Sequence, residues 1–190
     1  KFPFRPLAGA KLREHAVGLG ILDEQDKAGD PIFIARRGRR SLSNHEEIEQ
    51  ILNNAGYKTV YPEDLNAEEQ IKTVACAKDI FGLHGAALGY LMFRDPGMGG
   101  TLVEAFPSVF ATNWARSIAT TKNMQWVGCM GEFDHKAMLH MQNGAHAHKY
   151  ESNKYSVDPH SLSLILKAIN QPGEICENIS KFCSIEITTT

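Results

Sequence analysis

Residues 57–93, YKTVYPEDLNAEEQIKTVACAKDIFGLHGAALGYLMF, contain a complete strand–helix–strand–helix pattern. The β-branched and aromatic run at 57–61 predicts a strand, and Pro62 ends it because proline cannot donate to the sheet ladder. Asn66 is a suitable N-cap for a helix over residues 66–77, since acids fill the first turn and apolar residues recur at helical spacing. The apolar run DIFGLHG predicts a second strand, and AALGYLMF predicts a second helix.

The same alternation continues on both sides of this segment. Strands are predicted at IFIA (32–35), TLVEAF (101–106) and QWVGCM (125–130), and helices at 44–55, 110–121 and 159–170. This order predicts an α/β fold, with a Rossmann-like, doubly wound, mostly parallel sheet that carries helices on both faces. Asn44 is the predicted N-cap of the helix at 44–55, because its side-chain oxygen can accept an N–H of the first turn.

Residues 30–171 are expected to form this domain. Residues 1–29 are expected to be an N-terminal extension or linker, and residues 172–190 an appended C-terminal tail. The 190 residues are 43% hydrophobic and 22% charged, which argues against disorder. A net charge of −2 and the absence of any apolar run of about 18 residues predict no contact with nucleic acid or a membrane by this segment.

The four cysteines do not form an obvious pairing pattern. Cys76 and Cys129 lie in apolar or strand-like surroundings and are predicted to be buried thiols. Cys176 and Cys183 flank a glycosylation acceptor pattern at Asn178. A disulfide and a glycan at Asn178 would indicate a secretory lumen, although so short a pattern also arises by chance.

The corner His84-Gly85-Ala86-Ala87 lies where a predicted strand ends and a helix begins. Ligands of parallel sheets bind beyond the carboxyl ends of the strands, and helix N–H groups favour phosphate there. Gly85 and the small alanines would leave those N–H groups open to a diphosphate. The alternative is that the small residues only permit close helix–strand packing, with His84 a structural histidine.

A basic turn, Arg36-Arg37-Gly38-Arg39-Arg40, follows the predicted strand at 32–35. Guanidinium groups match phosphate oxygens two at a time, so the turn and the His84 corner together predict a diphosphate site. The alternative is a solvated loop, or salt bridges with Glu46 and Glu47. Neither stretch matches a P-loop or a G-x-G-x-x-G fingerprint.

Other candidate chemistry is weaker. Four histidines occur in one region, at His135, His140, His146 and His148, but no cysteine or acid falls at metal-ligand spacing. No Ser-His-Asp pattern or G-x-S-x-G elbow is present. No metal site is therefore predicted.

Three segments in order resemble the family 61 glycosyltransferases, which include enzymes acting on plant xylan, on EGF repeats and on O-mannose. The segments are IFIARRGRRSLSNHEEIEQIL, GYKTVYPEDLNAEEQIKTVACAKDIFGLHGAALGYLMF and GTLVEAFP. The family pattern is an apolar strand, an Arg-rich turn, Asn followed by acids, PEDL, an HGAGL-like corner, a Pro-Gly break and a strand ending in Glu. The resemblance covers about residues 31–107.

The resemblance implies the C-terminal, donor-binding half of a two-domain GT-B glycosyltransferase. Such an enzyme transfers a sugar from a nucleotide sugar, usually a UDP-sugar, with inversion and without a metal or other cofactor. The acceptor would be a hydroxyl of a protein-linked glycan or polysaccharide. A missing N-terminal domain or a partner subunit would complete the enzyme, in the ER or Golgi lumen of a eukaryote or the cytoplasm of a bacterium; Asn178 and the nearby cysteines favour the lumen.

On this resemblance the diphosphate-binding residues are Arg36, Arg37, Arg40, His84, Gly85, Ala86 and Ala87. Glu104 would contact the ribose or sugar. The catalytic base is not assigned, and His84 is a candidate for a catalytic role. Ala87 stands where the family pattern carries glycine, and RDPGMGG is longer than the usual break. These departures motivate an alternative, a catalytically inactive domain acting as a scaffold subunit; a nucleotide- or anion-sensing module is a third possibility.

Overall fold

Five short parallel strands form the centre of the fold in the computed structural model, which describes residues 6–108, 112–132, 139 and 154–170. The strands are β1 (Ile32–Ile34), β2 (Lys58–Val60), β3 (Ile80–Leu83), β4 (Thr101–Phe106) and β5 (Gln125–Met130). Their order across the sheet is β2-β1-β3-β4-β5, and every neighbouring pair is parallel. The chain therefore changes direction across the sheet between β1 and β3, which is the switch point where ligands of such sheets bind.

Helices cover both faces of this sheet. They are α1 (Pro6–Gly18), α2 (His45–Asn54), α3 (Ala67–Cys76), α4 (Trp114–Thr121) and α5 (Pro159–Asn170). The strands alternate their side chains, so Phe33 and Phe81 pack with α2 and α5 on one face, while Ile32 and Ile80 pack with α3 and α4 on the other. The predicted Rossmann-like, doubly wound architecture is confirmed.

Helix α1 packs against the domain rather than standing apart from it. Arg13 donates to a carboxylate oxygen of Asp26 at 3.0 Å and to the carbonyl oxygen of Phe93 at 3.2 Å. Ala16 is buried in a small cluster with Leu22 and Ala75. The predicted domain limits at residues 29 and 172 stay predictions.

The predicted α-helix AALGYLMF is instead a 3₁₀ segment, Ala86–Phe93. With three residues per turn, side chains three apart lie in one row. Leu88 and Leu91 have this spacing and both are fully buried on the α3 and α4 side of the sheet. Packing of this row is compatible with the tighter helix, which sequence periodicity does not distinguish from an α-helix over so few turns.

The side chain of Asn44 does not cap α2, so that prediction is wrong. Only the backbone carbonyl of Asn44 acts as a cap, accepting the Ile48 N–H at 3.2 Å. The side-chain amide is turned towards Val157, donating to its carbonyl at 2.8 Å and accepting its N–H at 3.2 Å. By contrast, Asn66 and Glu69 form a reciprocal capping box at the start of α3, as predicted for Asn66.

Arg94 is fully buried, although no sequence motif singles it out. Its guanidinium donates to the carbonyls of Ala75 at 3.2 Å, Lys78 at 3.1 Å, Gly99 at 2.6 Å, and Ala77. The last carbonyls of a helix lack partners within it, and a cation is favoured beside them. Arg94 therefore closes the end of α3 and links it to the turn before β4.

Cys129 is buried, as predicted, and Cys76 is half-buried; both are free thiols. Within the part of the chain that the structure describes, no helix is long and apolar enough to cross a bilayer. Several predicted features lie outside the described residues, namely Cys176, Asn178, Cys183, His135, His140, His146 and His148.

Candidate functional site

A cavity of about 290 Å³ opens at the carboxyl ends of β1 and β3, at the switch point of the sheet. Its lining residues are Ile34, Ala35, Arg36, Pro62, Glu63, Gln70, Leu83, Gly85, Ala86, Ala87 and Tyr90. We refer to it as the switch-point pocket. It lies at the edge of the sheet where the sequence analysis placed a ligand.

The guanidinium of Arg36 lies directly against Gly85 across this pocket. A Cβ on Gly85 would come within 3.1 Å of Arg36 Nη1, so a side chain there would push the guanidinium away. Gly85 has an extended backbone (φ 171°) that any residue can adopt, so its glycine is required for space rather than for conformation. Burial, and next the charge of Arg40, lower the pKa of Arg36. Among the described residues, no carboxylate forms a salt bridge with Arg36.

Arg40 lies close enough to influence Arg36 electrostatically, although it does not line the pocket. It has a left-handed backbone, with φ at 58°. Tyr155 also lies near both arginines; it is buried and donates to the carbonyl of Ala105 at 3.0 Å. The arginine turn thus rests on a buried tyrosine that is bonded to β4.

Arg37 is committed to a different interaction. Its guanidinium donates to both carboxylate oxygens of Asp64, at 2.7 and 2.8 Å, and lies over the Tyr61 ring at 3.9 Å. Hydrogen bonding to Asp64 raises the pKa of Arg37, and the same bonds lower the pKa of Asp64. The acids that pair with Arg37 are therefore Glu63 and Asp64, in the turn after β2.

His84 points away from the pocket and towards β4. Its Nδ1 lies 2.7 Å from Oε1 of Glu104, and its ring stacks on Phe106 with centroids 5.1 Å apart. Trp126 donates its indole N–H to Oε2 of Glu104 at 2.8 Å. His84 is 6% exposed and Glu104 is fully buried, so the two form an internal polar pair.

The predicted set of site residues is therefore divided. Arg36, Gly85, Ala86 and Ala87 line one pocket, and Arg40 lies close enough to Arg36 to lower its pKa. Three others are occupied elsewhere in this structure: Arg37 with Asp64, and His84 with Glu104. Glu104 has no exposed surface with which to contact a ribose.

Seven lining residues were not predicted as site residues: Ile34, Ala35, Pro62, Glu63, Gln70, Leu83 and Tyr90. Pro62 and Glu63 belong to the PEDL motif directly after β2, whereas Gln70 comes from α3. The signal that could have found them is the position of β2 beside β1, because the carboxyl ends of adjacent parallel strands share an edge. That adjacency depends on the strand order, which local patterns do not specify.

Within the described ranges, no group of three or more histidine, cysteine or acidic side chains could hold a metal ion. The pocket instead offers one guanidinium, one carboxylate, one amide and one phenol among apolar walls. Such a mixture is typical of a small-molecule site in which a few polar groups fix the orientation of the ligand.

The model of the family described as Glycosyltransferase 61 matches residues 11–103 of the chain. No curated protein matches the chain significantly. All lining residues of the switch-point pocket, from Ile34 to Tyr90, fall inside the matched region. Over residues 11–103, the chain therefore carries the sequence pattern of the glycosyltransferase 61 family.

Proposed function

We propose that the switch-point pocket binds the nucleotide-sugar donor of a glycosyltransferase, with the donor diphosphate between Arg36 and the start of the 3₁₀ segment. The observation that carries this proposal is the Arg36 guanidinium, which lies against Gly85 and forms no salt bridge with a described carboxylate. A cation in that state lowers its free energy by pairing with an anion. The family match to residues 11–103 supports a nucleotide sugar as the source of that anion.

The chemistry required is electrostatic. When the bond between the sugar and the diphosphate breaks, the leaving diphosphate gains negative charge. In an inverting, metal-independent transfer, which we propose here, protein cations must stabilise that charge, and preorganised groups do so without reorganisation. Arg36 supplies a cation in the pocket, Arg40 adds positive potential near it, and the small side chain of Ala86 leaves room for the phosphate oxygens.

The acceptor hydroxyl must lose a proton during the transfer, which requires a base. His84 was a candidate from the sequence, but it is bonded to the buried Glu104 and does not line the pocket. We therefore place the base outside this pocket, on the acceptor half of a GT-B enzyme or on a partner subunit. We propose a UDP-sugar as donor and a hydroxyl of a protein-linked glycan or polysaccharide as acceptor.

One observation favours a second candidate, an inactive scaffold subunit. Ala87 lines the pocket where the family pattern carries glycine, so its methyl group occupies space beside the proposed diphosphate. A domain that had lost its donor would tolerate this methyl, whereas a donor-binding domain must accommodate it.

A thermal-shift titration with UDP, GDP and CDP, each with and without EDTA, tests the proposal. A ligand at 100 times its Kd that binds only the folded state stabilises it by about 2.7 kcal/mol. We expect a shift with UDP that EDTA does not change. No shift with any nucleotide in folded protein would favour the scaffold candidate, and an EDTA-sensitive shift would contradict metal-independent binding.

Two alanine variants in the same segment locate the site. Gly85→Ala places a methyl group 3.1 Å from Arg36 Nη1, while Gly89→Ala enters open space. Neither position has a left-handed backbone, so neither change strains the fold. We expect Gly85→Ala to weaken UDP at least about tenfold, the equivalent of about 1.4 kcal/mol, and Gly89→Ala to leave it unchanged. Equal UDP affinities in the two variants would contradict the placement of the diphosphate beside Gly85.

A further inference from the structure

The lining of the switch-point pocket contains a carboxylate, Glu63, as well as Arg36. It lies in the short 3₁₀ turn Pro62–Asp64 that follows β2. Of the described residues that line the pocket, Glu63 is the one acid. Its charge acts to raise the pKa of Arg36, against the lowering by burial, and its Oε1 lies 3.9 Å from Nη1 of Arg37. Because a carboxylate repels a diphosphate, Glu63 would contact a different part of the donor.

Glu63 is held in place by the turn that carries Arg36. Its Oε1 accepts the backbone N–H of Arg37 at 2.9 Å. The Arg37 side chain in turn fixes the neighbouring Asp64 through two hydrogen bonds of 2.7 and 2.8 Å. The turn after β1 and the turn after β2 are thereby joined across the mouth of the pocket. Oε2 of Glu63 forms no hydrogen bond with a described residue.

A fixed carboxylate with one uncommitted oxygen is an acceptor only, and it needs donors that carry no negative charge. Hydroxyl groups meet this requirement, and two adjacent hydroxyls can bond one carboxylate through both oxygens. Hydrogen bonds to a charged acceptor are also stronger than those between neutral groups. A nucleotide sugar offers such vicinal diols on its ribose and on the transferred sugar.

We propose that Glu63 binds a vicinal diol of the donor and thereby determines which nucleotide sugars fit the pocket. This assignment rests on the proposed function, because it takes the diphosphate to lie at Arg36. It gives Glu63 the contact that the sequence predicted for Glu104, whose two oxygens are bonded to His84 and Trp126. Arg37 is then a positioning residue, since it fixes the turn on which Glu63 lies.

Calorimetric titration of the full chain with three probes tests the assignment: UDP, 2′,3′-dideoxyuridine diphosphate, and UDP-N-acetylglucosamine. The variants are Glu63→Gln and the matched control Glu68→Gln, which removes the same charge from the first turn of α3. Glu68 does not line the pocket. Any general gain in anion affinity from the lost charge should therefore be common to both variants.

If Glu63 binds the ribose diol, the wild type prefers UDP over the dideoxy probe by about tenfold or more. Glu63→Gln then narrows this preference to within about threefold, and Glu68→Gln keeps it. If Glu63 instead binds the sugar diol, Glu63→Gln weakens UDP-N-acetylglucosamine relative to UDP, and the dideoxy preference is unchanged. Either pattern supports the assignment.

The assignment is overturned if Glu63→Gln changes neither the preference for UDP over the dideoxy probe nor the affinity for UDP-N-acetylglucosamine relative to UDP. It is also overturned if the control variant changes either preference as much as Glu63→Gln does. In both of these results the wild type still binds UDP. If the proposed function itself is wrong, the wild type binds none of the three probes, and both proposals are contradicted.

Discussion

At the scale of single residues, Arg40 is the least expected feature of the site. It adopts the left-handed region, with φ at 58°, which is costly for a residue with a Cβ. Asn123 is the other described non-glycine residue with positive φ, at 55°, and asparagine tolerates this region better. A strained arginine beside Arg36 points to a benefit other than stability, and anion binding provides one.

Replacing Arg40 with glycine should therefore separate stability from binding. We expect Arg40→Gly to leave the free energy of unfolding unchanged or to raise it by up to about 1 kcal/mol, since the relief of strain is offset in part by chain entropy. The same change should lower the affinity for UDP, because the positive potential that Arg40 adds near Arg36 is lost.

Urea unfolding and UDP titration measure the two effects. Asn123→Gly is the matched control, because it relieves the same backbone conformation away from the pocket and should not alter UDP affinity. Unchanged UDP affinity in Arg40→Gly would mean that Arg40 has no part in the site.

At the scale of elements, a short strap at residues 155–157 holds the arginine turn against the domain. Ser43 donates its N–H to the carbonyl of Tyr155 at 2.8 Å, and Leu42 and Tyr155 form a parallel bridge. Asn44 adds two bonds to Val157. The strap leads into α5, whose first turn is capped by Asp158, with its Oδ2 accepting the Ser161 N–H at 2.9 Å.

Loss of the Asn44 tether should loosen the arginine turn. We expect Asn44→Ala to lower the free energy of unfolding by about 1–3 kcal/mol, because two buried backbone groups of Val157 lose their partner. It should also lower the affinity for UDP, since the turn carries Arg36 and Arg40.

Asp158→Ala is the control, because it removes the cap of α5 and leaves the tether intact. It should cost about 1 kcal/mol without changing UDP affinity. The role given to the strap is contradicted if the two variants bind UDP equally well.

Local sequence predicts those features of the elements whose partners are close in the chain, and not those whose partners are distant. The start of α3 was predictable because Asn66 and Glu69 are three residues apart and bond to each other. The side chain of Asn44 was not, because its partner Val157 lies 113 positions away. Likewise, the PEDL motif was visible as a turn, but its place in the pocket depends on β2 lying beside β1.

At the scale of the whole molecule, the fold class followed from the alternation of strands and helices, whereas the pairing of charges did not. Arg37 and Arg40 are equivalent in a linear basic turn, yet one is bonded to Asp64 and the other is not. His84 and Gly85 are adjacent, yet one side chain faces β4 and the other residue faces the pocket. Consecutive residues of extended backbone point to opposite sides, and the chain is still extended just after β3, so the motif HGAA is divided between two environments.

The buried cysteine thiols and tyrosine hydroxyls of the domain predict that the fold loses stability at alkaline pH. Burial raises the pKa of Cys76 to about 11, of Cys129 to about 11 and of Tyr57 to about 12, and it also raises the pKa of Tyr155. These groups stay neutral in the folded chain, but an unfolded cysteine ionises near about 8.5 and a tyrosine near about 10. Stability from these groups is complete below pH about 8.5 and is lost as the pH rises towards 11.

Urea midpoints measured from pH 7 to 10.5 should therefore fall above pH about 8.5. Cys129→Ala removes one titrating group and should make the fall shallower, whatever the packing defect does to the midpoint at pH 7. An equally steep fall in the variant would contradict the role of Cys129, and a flat profile in the wild type would contradict the shifts themselves.

The polar pair beside the pocket has a consequence for optical spectroscopy. The chain contains two tryptophans, and both lie at this pair. Trp114 meets the His84 ring with centroids 5.7 Å apart, and Trp126 donates to Glu104. The tryptophan fluorescence of the chain thus originates beside the His84–Glu104 pair, and His84 directly precedes Gly85. Emission at tryptophan wavelengths is therefore a label-free reporter of this one corner, rather than an average over the domain.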